Sequence, residues 1–398
     1  MRNRERAFHL RSSLLIFAMT LAGITSTSLQ AANYSAGPAV VAKADQNLWP
    51  GKINSVAGFD LASRASIMIY VLALQDMQQL PDTEMLVAFK IKSINRESVE
   101  KWLKKEFELS LLNFQRAATN CAGADWTCMN KVTSIPALLQ GAAEGIHKAP
   151  PEFQPWRENL NNFARAYVAE QLRLAALFPK VSSEIDLFND NEWNGDGFAD
   201  RQFFLSFDDG PTSVQGSTDA TLKMLELEKK SAIFFVLGEN FQNRLTKTDT
   251  HALAALYKNQ CVASHGWQHQ SHAKWDQWQD SVRRTQNLLS SNLASSNVSA
   301  LFRPPYGQRK DDSGTFFRAQ SLQVALWNID SQDWNNHVDA SDITHRVVTL
   351  MLIKRHGMLL FHDIHPKAHL ALPILFEKLA GAVDWADCQQ WSRYNKHG

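Results

Sequence analysis

From residue 201 onward, short apolar runs alternate with segments of helical spacing. The runs are "FFLSF", "AIFFVL", "CVAS", "ALF", "VALWNI" and "GMLLF", and between them come "TDATLKMLELEKK", "HALAALYKN" and "WDQWQDSVRRTQNLLSSNL". Strand and helix in alternation imply a parallel sheet, and runs that are continuously apolar fit strands covered on both faces. The residues that follow the runs carry the chemistry. Asp208 and Asp209 follow the first, His265 and His269 follow "CVAS", Arg303 follows "ALF", Asp330 and Asp333 follow "VALWNI", and His362 follows "GMLLF". The carboxyl ends of parallel strands are where active sites form in such folds. Five strand ends bearing titratable or cationic groups therefore point to one site.

Two adjacent acids at the end of a buried run repel each other unless a cation sits nearby. His265 and His269 are four apart, so on a helical turn they share a face and can grip one ion. Two imidazoles and one carboxylate make a three-ligand zinc site with a position left open for water. Zinc brings the pKa of such a water toward about 7, and a second carboxylate beside the ligand can take its proton. A Gly-x-Ser-x-Gly nucleophile elbow does not occur, which disfavours a serine hydrolase.

The rest of the chain carries less chemistry. Residues 1–31 combine an Arg-rich start, a short apolar run and small residues, the layout of a signal peptide cut after Ala31. The whole chain has 41 Lys+Arg and 40 Asp+Glu. Removing four Arg and one Glu with the signal leaves 37 − 39 = −2, so no strongly basic nucleic-acid footprint exists. Residues 32–190 read as a mainly α-helical region. In it Val99, Trp102, Leu103, Phe107, Leu111 and Phe114 share one face of a helix capped by Asn95. Residues 191–200 read as a polar surface linker. Within "FNDNEWNGDGFAD", Asp200 breaks a dinucleotide loop and Arg201 replaces the closing Glu of an EF-hand. An exported chain can form disulfides, but Cys121, Cys128, Cys261 and Cys388 allow three pairings.

The ordered set "SFDDGP", "HGWQH", "RPPYG", "DSQDW" and "LFH" resembles the signatures of the polysaccharide deacetylases of carbohydrate esterase family four, the NodB homology domain. The resemblance covers residues 201–385 and leaves 386–398 as a tail. It implies a distorted parallel (β/α) barrel of about seven strands, with the helical region in front of it. It also implies Asp208 as general base, Asp209, His265 and His269 as ligands of Zn2+ or another divalent transition metal, and Arg303 as the partner of Asp208. Asp333 would orient His362 as general acid, and the Tyr306 backbone N–H would face the oxyanion. Trp334, Leu360, Pro305 and Tyr306 would contact substrate.

The activity so implied is removal of N-acetyl groups from N-acetylglucosamine-containing polysaccharide, of peptidoglycan or chitin type, in the periplasm or outside the cell. O-deacetylation of acetylated xylan and non-catalytic carbohydrate binding are the alternatives. Two departures stand out: Ser206 replaces the usual Thr, and Gly266 replaces the Ser or Thr that tethers the histidine loop. Asn335 also stands where a basic residue often follows the Trp.

Overall fold

The computed structural model describes residues 41–391, apart from 122, 124, 130 and 181–183. The proposed signal segment lies outside the described residues. Five helices come first: α1 (Val56–Gln78), α2 (Asp82–Ala88), α3 (Arg96–Ala117), α4 (Ile135–His147) and α5 (Gln154–Leu177). Helix α3 begins as its sequence predicts, with the Asn95 side chain accepting from the Ser98 N–H at 3.2 Å. Helix α1 is the one described helix long and apolar enough to cross a bilayer. Here Phe59, Ile67, Met68, Ile69, Tyr70, Val71 and Leu74 are all buried by protein, as in a core helix apolar on several sides.

Among the described residues nine strands make one sheet: β1 (Glu192–Trp193), β2 (Gln202–Asp208), β3 (Ile233–Val236), β4 (Cys261–Ser264), β5 (Val298–Phe302), β6 (Gln323–Ala325), β7 (Ile329–Asp330), β8 (Gly357–His362) and β9 (Asp384–Trp385). Their order is β1-β6-β5-β4-β3-β2-β8-β7, with β9 beside β2. Every pairing is parallel. The sheet curls as a partial barrel, and among the described residues its end strands β1 and β7 are not hydrogen-bonded to each other. Helices α6 (Ser217–Leu227), α7 (Gly238–Leu245), α8 (Thr250–Leu256), α9 (Trp278–Asn292), α10 (Gly314–Ala319), α11 (Ala340–Lys354) and α12 (Pro366–Lys378) fill the crossovers.

Strand β2 shows why the runs are continuously apolar: all seven of its residues are buried. Side chains alternate across a sheet, so Phe203, Leu205 and Phe207 enter one core while Phe204 enters another. The first core also holds Phe59, Tyr70, Trp156 and Phe163 of the helical region. That region is thus packed into the barrel's outer layer.

Three sequence boundaries shift. Residues 191–200 are no surface linker, because Glu192 and Trp193 pair with Val324 and Ala325 as an edge strand. The acids there have partners: the buried Glu192 pairs with Arg309 and the half-buried Asp200 with Arg355. Polarity in this segment reports ion pairing, not exposure. "VALWNI" splits into β6 and β7. The described part of the 386–398 tail is anchored, since a disulfide joins Cys261 to the buried Cys388. A second disulfide joins Cys121 to Cys128, so the open pairing resolves to these two bridges.

Candidate active site

The inner face of the sheet carries the site. Ser206 and Asp208 on β2 lie opposite Leu360 and His362 on β8. One parallel register therefore sets an acid beside an imidazole at the strands' carboxyl ends.

Arg303, just past β5, is fully buried. Its Nη1 donates to Asp208 Oδ1 at 2.8 Å and to Ser206 Oγ at 2.8 Å. Its Nε and Nη2 donate to the carbonyls of Ala325 and Leu326, each at 3.0 Å. Every direction of the guanidinium fork in these bonds is fixed, so Asp208 meets a rigid cation. Ser206 donates in turn to the Leu359 carbonyl at 2.7 Å, so a serine at this position joins β2, β8 and Arg303.

Asp209 follows in a left-handed conformation, φ 78°, which turns it away from the strand. Its Oδ1 lies 3.4 Å from His265 Nε2 and 3.5 Å from His269 Nε2. Ligand atoms of the three residues all lie within 4.8 Å of one another. Burial opposes ionisation of Asp209, but His269, His265 and His362 outweigh it and hold the carboxyl well below its usual range. Burial lowers the pKa of His269. The Nδ1–H of His265 donates to the Arg303 carbonyl at 2.7 Å. That bond fixes the tautomer and leaves Nε2 as the free lone pair. Asp209 Oδ1 is buried without a hydrogen-bond partner. A buried carboxylate oxygen between two imidazole nitrogens, unpaired by any donor, fits a divalent cation.

The two histidines meet across a bend, not on a helical turn. Gly266 takes φ 85° there, and a Cβ would lie 2.6 Å from the His272 ring. Burial pushes His272 down to about 3, so it is neutral. Its Nδ1–H donates to the Gln270 carbonyl at 2.9 Å, so Nε2 accepts from the Ser281 hydroxyl at 3.2 Å. Ser281 Oγ then accepts the Trp267 N–H at 2.7 Å. The loop is held from helix α9, which leaves no need for a side chain at 266.

His362 Nδ1–H donates to Asp333 Oδ1 at 2.7 Å, and its backbone N–H donates to Oδ2 at 2.8 Å. Burial alone would lower this histidine, but Asp333, with Asp209 and Asp208 beyond it, raises it to about 10. Tyr306 occupies a left-handed turn, φ 61°, with its ring 4.3 Å from that of His269.

A cavity of about 240 Å³ joins these groups. Asp208, Asp209, His265, His269 and His362 form its floor, and Tyr306, Trp334, Leu360, Trp327, Asp330 and Gln332 its sides. Of the sequence-derived set, Arg303 and Asp333 stand behind the lining, each fully buried. Pro305 is buried in the turn and is not among the lining residues; it shapes the Tyr306 backbone without offering a surface to substrate. Lys367 Nζ donates to the Asn335 carbonyl at 2.7 Å, which brings a cation from helix α12 to the position where the motif lacks one.

Sequence reading missed several residues. Val41, Glu170, Gln171, Leu174 and Glu184, all from the helical region, close the cavity's remaining side. No motif marks them, and only the chain's packing brings them there. Trp327 lies inside "VALWNI", a run that reads as one strand and that the structure divides between β6 and β7. Asp363 directly follows His362, and its carboxylate would clash with any Cβ at Gly210, 2.1 Å away. Burial pushes Asp363 up to about 7 against the Thr218 hydroxyl bond at 2.7 Å. Its adjacency to the motif was the available signal.

Residues 196–325 match the polysaccharide deacetylase family. Among similar proteins is a peptidoglycan-N-acetylglucosamine deacetylase of Bacillus cereus, 27% identical over 146 residues, 36% of this chain and 50% of the relative. Chitin deacetylase 2 of Saccharomyces cerevisiae is 26% identical over 207 residues, 51% of this chain and 62% of the relative. The chain thus spans about half to three-fifths of these relatives' length. The solved peptidoglycan deacetylase PdaC from Bacillus subtilis is 27% identical, covering 50% of this chain and 92% of that one, with a TM-score of 0.40.

Proposed function

We propose that this protein is an exported, metal-dependent deacetylase that hydrolyses the N-acetyl group of N-acetylglucosamine units in carbohydrate of peptidoglycan or chitin type. The observation that carries the reading is the Asp208–His362 pair, opposed in register, each held by a fully buried partner, Arg303 and Asp333. Amide hydrolysis needs both: a base to take the proton of water and an acid to protonate the departing nitrogen. Asp208, against Arg303, is the carboxylate poised to accept. His362, against Asp333, holds its proton on Nε2 and is placed to donate it.

Asp209, His265 and His269 would hold the cation, with zinc first among divalent metals. When bound, the cation would polarise the acetyl carbonyl and acidify the attacking water. The Tyr306 backbone N–H would add a donor to the oxyanion. Trp334 and Leu360 would receive the acetyl methyl, for which an apolar wall suffices. The similar relatives named as peptidoglycan and chitin deacetylases support the substrate class.

The test is acetate release from peptidoglycan, chitin oligomers and acetyl-xylan. The expected result is release from the first two, abolished by a chelator and restored by added zinc. Release that persists under chelation and in Asp208→Asn overturns the mechanism. Preference for acetyl-xylan overturns the substrate, and tight carbohydrate binding without release points to the non-catalytic alternative.

A further inference from the structure

The helical region outside the family-matched segment builds one wall of the cleft. Helix α5 turns Glu170, Gln171 and Leu174 toward it, and Val41 joins them from the segment before α1. Residues 170, 171 and 174 fall on one helical face, so the wall is a continuous strip of α5.

This wall is fixed, not a loose cover. Arg346 of helix α11 donates to Glu170 Oε2 at 2.8 Å and Oε1 at 3.3 Å. The same guanidinium donates to the Ala42 carbonyl at 3.1 Å and the Asp330 carbonyl at 3.0 Å. Glu170 also accepts the Ala42 N–H at 2.5 Å. One buried cation thus ties α5, the chain at residue 42 and the end of β7 into a single body. The cavity it encloses, about 240 Å³, falls below the roughly 300–1,000 Å³ of sites that take drug-sized ligands. Beyond Gln171, toward Tyr167, Glu106 and Lys354, the neighbouring space is only about 30 Å³, far less than a sugar ring needs.

We infer that α5 is a stop for the substrate chain: Gln171 and Leu174 contact the acetylated unit and confine the site to the end of a short N-acetylated oligosaccharide, as opposed to the middle of a long polymer. Gln171 offers an amide to sugar hydroxyls, and Leu174 offers an apolar surface to a ring face. Trp327 Nε1, buried at the cleft without a partner, supplies a further donor. The inference rests on the deacetylase reading for its ligand class, but binding can be read without chemistry.

The experiment is calorimetric titration of full-length Asp208→Asn protein with N-acetylated chitooligosaccharides of one to six units. Affinity is expected to rise to about two or three units and then stay level, since a stopped chain gains no contacts on the far side. Adding Gln171→Ala and Leu174→Ala should weaken binding of the trimer by about tenfold, the loss of roughly one good contact. Affinity that climbs with every unit through six overturns the inference, and so does a double variant that binds as tightly as its parent. Wild-type protein that binds in the expected pattern yet releases no acetate sinks the deacetylase reading and leaves the wall standing. Acetate release at internal units of the hexamer does the reverse.

Discussion

At the scale of single residues, the site depends on matching each titratable group to one fixed partner. Asp208→Asn keeps the shape of the Arg303 contact and removes the charge that accepts a proton. Activity should fall by about 10²–10⁴-fold, and the thermal midpoint should fall as well, because the buried Arg303 guanidinium loses its compensating carboxylate; acetate release measured on protein shown by melting to be folded separates the two effects. His362 makes a pH prediction in the metal-free protein. Its folded pKa, about 10, lies above the roughly 6.5 of an unfolded histidine. The pair with Asp333 therefore contributes stability in full below about pH 6.5 and loses it as pH rises through about 10. The melting advantage of chelated wild type over His362→Gln should shrink steadily between those limits. An advantage constant across that range would show that His362 is neutral throughout.

At the scale of elements, strand register does the assembling. Because β2 and β8 pair Asp208 with His362, a change that slips β8 separates the proposed base from the proposed acid without touching either. The contact most able to hold α5 in place is the buried Glu170–Arg346 pair. Glu170→Ala leaves a buried guanidinium uncompensated and should cost about 3–5 kcal/mol of stability, measurable by denaturant unfolding. The bridge between Cys261 at the start of β4 and Cys388 beyond β9 closes a loop of sequence separation 127. Its removal by Cys261→Ala with Cys388→Ala should cost about 2–4 kcal/mol and leave the distant site's chemistry intact. A double variant that melts with wild type would show the bridge to be dispensable.

At the scale of the whole molecule, the helical region and the barrel share a core in which Phe59, Tyr70, Trp156 and Phe163 join Phe203, Phe207, Phe234 and Phe361. Buried charges cross the same boundary, Glu106 with Lys354 and Asp60 with Arg355. A chain beginning near residue 190 would expose that apolar surface, strand Lys354 and Arg346 without Glu106 and Glu170, and leave Arg355 with Asp200 but without Asp60. Such a fragment should be insoluble or molten by near-ultraviolet dichroism, even though it holds every motif of the candidate site. A soluble, cooperatively melting fragment would show the barrel to be autonomous.

The parallel α/β plan and the site's composition were legible in the residues because both are written locally. Apolar runs such as "CVAS" coincide with their strand, since a strand buried on both faces must be apolar throughout. The residue after each run must then emerge at the sheet's carboxyl edge. Local pattern carries no measure of what packs from a distance. Glu192 sits in a segment as polar as any surface loop, and only the arrival of Arg309 makes it interior. Gln171 and Leu174 look like ordinary positions of an amphipathic helix until packing brings both to the edge of the cleft. The sequence alone determined which groups meet at the strand ends, and long-range packing decided what encloses them, because enclosure depends on partners more than a hundred residues apart.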